Sequence, residues 1–166
     1  MRHFSIGLAL FSLPLLAFAA QGHVHGEARL EIAVEANDVF VHFQAPLDAL
    51  IGFERRPRTP AEQLTVSTMK SRLQAGEQVF KLPPEARCQL VSTQIESPAF
   101  TQQGHTQHLD LDAEYRWQCT NPSALRSIET RLFSEFNRIK RIKLEFVGPP
   151  GQKSVVLTPK KTVFDW

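Results

Sequence analysis

Six histidines, several with carboxylates close by in sequence, are the side chains best equipped for chemistry in this chain of 166 residues. His23 and His25 stand one residue apart, just before Gly26 and Glu27. On an extended segment such residues project to the same side, so both imidazoles can approach one ion. Imidazole nitrogen is a borderline-soft ligand, and zinc is the commonest ion it binds. A polar N-terminal tail would present the same two residues, and spacing alone does not separate the readings. His105 and His108 form a second pair, with Asp110 and Asp112 following. On a strand His108, Asp110 and Asp112 share one face, and imidazole beside carboxylate suits an open, exchangeable zinc site. A solvated acidic face is the plain alternative. His42 lies opposite Val41 and Phe43, where it could join His25 and Glu27 across a hairpin or stand as a simple surface histidine.

Other chemistries find little support. No serine sits in a nucleophile elbow, and no glycine-rich phosphate loop is present. A hydrolase with a metal-bound water needs three convergent ligands and a general base, which the sequence does not supply convincingly. The expectation is a protein that is not an enzyme. The net charge of +2 implies no nucleic-acid partner. Arg138, Lys140, Arg141 and Lys143 alternate with other residues as on a solvated face. Arg55, Arg56 and Arg58 could meet an acidic partner or lipid head groups, or be loop charge.

The first residues set the compartment. Arg2 and His3 precede an apolar run from Phe4 to Phe18, and Ala17-Phe18-Ala19 has the small residues that signal peptidase reads. Residues 1–19 are therefore expected to be a signal peptide, and 20–166 a single periplasmic domain with no membrane span. Cleavage after Ala20 instead would leave Gln21-Gly22-His23, whose amine, backbone nitrogens and imidazole suit Cu(II) or Ni(II). Export makes a disulfide between Cys88 and Cys119 the favoured state of the two cysteines, ahead of a thiolate metal site.

The elements that must position these residues follow from periodicity. Ala28, Leu30, Ile32 and Val34 alternate with polar residues, as do Val39, Val41 and Phe43, which reads as a hairpin turning at Ala36-Asn37-Asp38. Thr59-Pro60-Ala61-Glu62 is a capping box opening a helix to about Ala75, with Leu64, Met69 and Leu73 on its apolar side. A third strand starts at Cys88 and ends near Pro98. Leu109 through Cys119 alternate as a fourth, with Leu109, Leu111, Ala113, Tyr115, Trp117 and Cys119 on one face. From Asn121-Pro122 the stripe Leu125, Ile128, Leu132, Phe133, Phe136 and Ile139 predicts a second helix. Strands at Ile142–Phe146 and Val155–Leu157 close the chain. The fold class expected is α+β: one domain, a mainly antiparallel sheet in ββαββαββ order, two helices on one face and one disulfide.

Five stretches then carry a resemblance: "HVHGEARLEIAVE", "LIGFERRPRTPAEQ", "FKLPPEARCQL", "HLDLDAEYRWQC" with "NPSALRSIETRLFSEF", and "PPGQKSVVLTP". In this order they resemble the ZrgA-like family of periplasmic proteins over essentially the whole mature chain. The resemblance implies zinc binding and a role in zinc uptake beside an ABC-type importer. It assigns His23 and His25 to the family's His-x-His-Gly, His108 and Asp110 to the start of its acidic strand, Glu54 to the acidic residue after Gly-Phe, and Cys88 and Cys119 to its cysteine pair. Many members carry a long histidine-rich loop where this chain has only "TQQGHTQH", and a histidine where it has Arg55. A single zinc site, rather than multi-ion buffering, is the expectation here. The rival expectation is an envelope interaction module without a metal site of its own.

Overall fold

In a computed structural model of the protein, residues 25–100 and 109–166 are described. The expected signal peptide, the Gln21-Gly22-His23 terminus, His23, His105 and His108 lie outside the described residues.

The alternating segments form a six-stranded sheet. β1 (Glu27–Glu35) and β2 (Asp38–Pro46) make the hairpin, with Leu30 opposite Phe43 and Ile32 opposite Val41. The left-handed Ala36 (φ 50°) lets the chain reverse. After β2 come helices α1 (Leu47–Ile51), α2 (Pro60–Gln74) and α3 (Gly76–Val79), and then the short β3 (Phe80–Lys81). β4 (Cys88–Glu96) and β5 (Asp110–Cys119) are antiparallel neighbours. β6 (Ser127–Thr130) and α4 (Leu132–Glu135) lead to β7 (Arg141–Gly148), β8 (Gly151–Leu157) and β9 (Val163–Asp165). The large sheet has the order β4-β5-β2-β1-β7-β8, and a small one has β3-β6-β9. The large sheet is mixed, because β1 and β7 run parallel while its other pairs are antiparallel.

Period-two patterning gives this sheet one dry face and one wet face. Leu30, Phe43, Leu111, Tyr115, Leu144 and Phe146 are all essentially inaccessible on the dry side. Full burial of each such side chain contributes about 1.5–3 kcal/mol, before entropy is counted. The buried residues of the helices, among them Leu47, Val66, Met69, Leu73, Val79 and Leu132, belong to the same core. Tyr115 stacks near Trp117 and meets the edge of Phe80. Its hydroxyl donates to the Leu73 carbonyl at 2.9 Å, and burial pushes the phenol's pKa up. The disulfide joins Cys88 to Cys119 across β4 and β5, with their Cα atoms 3.8 Å apart.

Two expectations need correction. The continuous helix from Asn121 to Ile139 does not form. Its six stripe residues are buried as required, but a 3₁₀ turn, β6 and the single helical turn of α4 place them. β6 pairs with β3 on one side and β9 on the other, so its backbone groups find partners without a helix. The ββαββαββ order is accordingly not the observed one. In α2, Val66 rather than Leu64 joins Met69 and Leu73 in the core, and Leu64 is 67% exposed.

Candidate metal centre

His25, Asp48 and Glu54 come together at the end of the sheet where β1 begins. Each can offer one ligand atom such that the three atoms lie within 4.8 Å of one another. Local structure explains why each is there. Gly26 is left-handed (φ 75°), and its carbonyl accepts from Lys140 N at 2.7 Å and Arg141 N at 3.1 Å, which anchors the segment next to His25. Asp48 lies in the first turn of α1, fixed after β2 by the Leu47 N–H bond to the Leu109 carbonyl at 2.9 Å. Gly52 ends α1 in the left-handed region (φ 89°), and its N–H returns to the Asp48 carbonyl at 3.0 Å. That turn brings Glu54 back beside Asp48. The positive φ is what requires glycine here; a Cβ at Gly52 would also lie 2.8 Å from the Arg138 guanidinium, the movable end of a flexible side chain.

The electrostatics suit a cation. His25 Nδ1 is hydrogen-bonded to Asp48 Oδ2. The imidazole is 83% exposed whereas Asp48 is only 20% exposed. Asp48 Oδ1 is buried and has no hydrogen-bond partner among the described residues. A carboxylate oxygen withdrawn from water without a donor is costly unless a cation or water reaches it. The Asp48 hydrogen bond and charge, with a smaller contribution from Glu54, raise the His25 pKa above its ordinary value. One imidazole nitrogen and two carboxylate oxygens are three hard-to-borderline donors, a set that zinc accepts with a position left open.

Asp110 is not one of the three converging donors. It pairs in register with Pro46, two residues before Asp48, and its carbonyl accepts from Ser97 Oγ at 2.7 Å. His42 lies elsewhere; of the two readings the sequence left open, joining His25 and Glu27 or standing as a surface histidine, the register fits the second. The hairpin register sets it opposite Glu31, roughly 13 Å along β1 from Glu27. There its Nε2 is 3.1 Å from Asp112 Oδ1 and its Nδ1 is 3.6 Å from Glu31 Oε2. Glu27 is taken up by Arg141 and Lys143. Arg55 is not a free loop charge either. It bonds both carboxylate oxygens of Glu62, at 2.9 and 2.6 Å, and lies over the Phe53 ring. That guanidinium, with the Arg58 N–H, holds the Glu62 carboxyl down at about 2.

Asp48 was not among the residues singled out by sequence. The available signal was an aspartate embedded in the apolar run Pro46-Leu47-Asp48-Ala49-Leu50-Ile51. A charge flanked by buried Leu47, Ala49 and Leu50 requires a partner.

These features describe a small disulfide-bonded α+β domain with a cluster of imidazole and carboxylate groups of metal-ligand type. Residues 22–166 match the family described as ZrgA family zinc uptake protein, and the chain belongs to that family. A search of curated proteins gave no match. Among the described residues no helix is long and apolar enough to cross a membrane. The family and the disulfide fit an exported protein.

Proposed function

We propose that this protein is a periplasmic zinc-binding accessory, which captures Zn²⁺ at the His25–Asp48–Glu54 cluster and passes it to an importer of the ABC type. The convergence of those three donors, with one Asp48 oxygen buried and unmatched among the described residues, carries the reading. His23 is two residues from His25 in the chain, and His108 is two from Asp110. His23, His108 and His105 are the proposed sources of a fourth donor, and all three lie outside the described residues. Exposure of the His25 ring leaves the ion accessible for exchange, as delivery requires. The role is capture and release, with no catalytic step. Glu54 is one of the proposed ligands, whereas His42 belongs to a different part of the surface.

Isothermal titration of the mature protein tests this. One zinc ion per chain is expected to bind, and Asp48→Asn and His25→Ala are each expected to weaken it at least about tenfold, equivalent to ~1.4 kcal/mol. Unchanged affinity in both variants removes these ligands. Absence of any zinc binding by the wild type favours the interaction-module reading.

A further inference from the structure

The wet face of the large sheet carries a feature unrelated to the zinc cluster. The registers align one residue from each strand in a transverse row: Gln94, Glu114, His42, Glu31, Glu145 and Ser154. Three of the six are glutamates, and Glu31 and Glu145 are direct neighbours on β1 and β7. Like charges facing each other across strands are destabilising. His42 is 3.6 Å from Glu31, and Arg116, which also lines the groove, is engaged elsewhere, as are Arg141 and Lys143. Arg116 bonds Asp38 at 3.1 Å and lies over the Phe40 ring, and Arg141 and Lys143 turn to Glu27. Glu114 and Glu145 make no ion pair among the described residues. Above the row runs an open groove of about 600 Å³, whose lining includes Glu31, His42, Glu114, Glu145, Phe40 and Val147. Phe40 and Val147 are 37% and 52% exposed, an apolar shelf on the groove's rim.

We propose that this face docks an extended cationic segment of a partner protein, with lysine or arginine at alternate positions and an apolar side chain between them. Charge complementarity identifies the occupant. Strands lie about 4.8 Å apart, so Glu31 is roughly 5 Å from the strand of Glu145 and roughly 10 Å from that of Glu114. An extended chain laid across the strands projects same-side residues about 7 Å apart, within reach of these carboxylates for flexible cationic side chains. Phe40 and Val147 then receive the apolar residue. The face is broad and open, as suits a polypeptide.

The test uses the full mature protein with a chelator present, so that the result is independent of zinc binding. The probe is a fluorescein-labelled peptide with lysine at alternate positions and a central leucine, and its glutamate counterpart is the control. Anisotropy should show binding of the lysine peptide only, weakening as salt is raised. The triple variant Glu31→Gln, Glu114→Gln, Glu145→Gln should bind about tenfold more weakly or worse. Phe40→Ser with Val147→Ser should weaken binding about threefold while leaving its salt dependence in place. Thermal melts verify that the variants are folded, and the triple variant should melt no lower than wild type. Equal binding by wild type and the triple variant overturns the proposal, as does failure to distinguish the two peptides. So does self-association in sedimentation velocity that the triple variant abolishes, since it assigns the face to a second copy.

Discussion

Gly52 is the hinge on which the candidate metal centre depends, and Gly52→Ala measures how much. At φ 89° an L-residue carries left-handed strain of about 1–2 kcal/mol. Alanine also stiffens the unfolded chain, which offsets roughly 0.4–1 kcal/mol of that cost. The new Cβ would lie 2.8 Å from Arg138 Nη2, but this is the tip of a flexible side chain that can swing away. Backbone strain therefore outweighs the steric contact. The expected net loss is about 1 kcal/mol in urea unfolding, with an unchanged denaturant slope. Repeating the substitution in an Arg138→Ala background should give the same loss within about 0.5 kcal/mol. A loss above about 3 kcal/mol that Arg138→Ala cancels would show that the guanidinium is a rigid wedge, and refute the reasoning. No loss at all would mean that the left-handed turn is not required.

Replacing both Cys88 and Cys119 by serine should cost about 4 kcal/mol, the loop-entropy value for their separation of 31 residues, read by urea unfolding. Zinc affinity should be unaltered, because β5 carries Cys119 roughly 30 Å from Asp110 at the other end of the strand. Glu62 has a folded pKa of about 2, below its ordinary value near 4.5. Its contribution is therefore fully present above about pH 4.5 and lost as pH falls toward 2, and Glu62→Gln should flatten the acid limb of a stability-against-pH curve in that window. His25 shifts the other way. The stabilisation from its pairing with Asp48 is full below pH 6.5 and fades as pH rises through the raised folded value. In the metal-free protein, Asp48→Asn should bring the His25 titration followed by NMR back down toward the ordinary imidazole value.

The strands were legible because one side of the sheet is dry. Leu30, Ile32, Val41, Phe43, Leu111 and Trp117 alternate with polar residues, and this pattern has only one period. Helix α2 was legible from its start, where the Glu62 N–H bonds Thr59 Oγ1 at 3.2 Å as the capping box requires. The segment from Leu125 to Ile139 misled because a 3.6-residue stripe records which side chains are buried, not how the backbone achieves it. The supply of partners from β3 and β9, distant in sequence, decided the matter. The candidate site was partly legible for a similar reason. His25 and Glu54 carried a family pattern, whereas Asp48 enters through the turn at Gly52 and the fixed start of α1. His42, for which the sequence left a surface position open, stands apart from His25 because the hairpin register set by the turn at Ala36 places it opposite Glu31.

The most direct measurement is an anomalous difference map, collected at the zinc edge from crystals of the mature protein soaked in zinc. The expected result is a peak bounded by His25, Asp48 and Glu54, within about 2.0–2.2 Å of their ligand atoms. A peak at His42 and Asp112 alone, or none on the chain at all, would contradict the account.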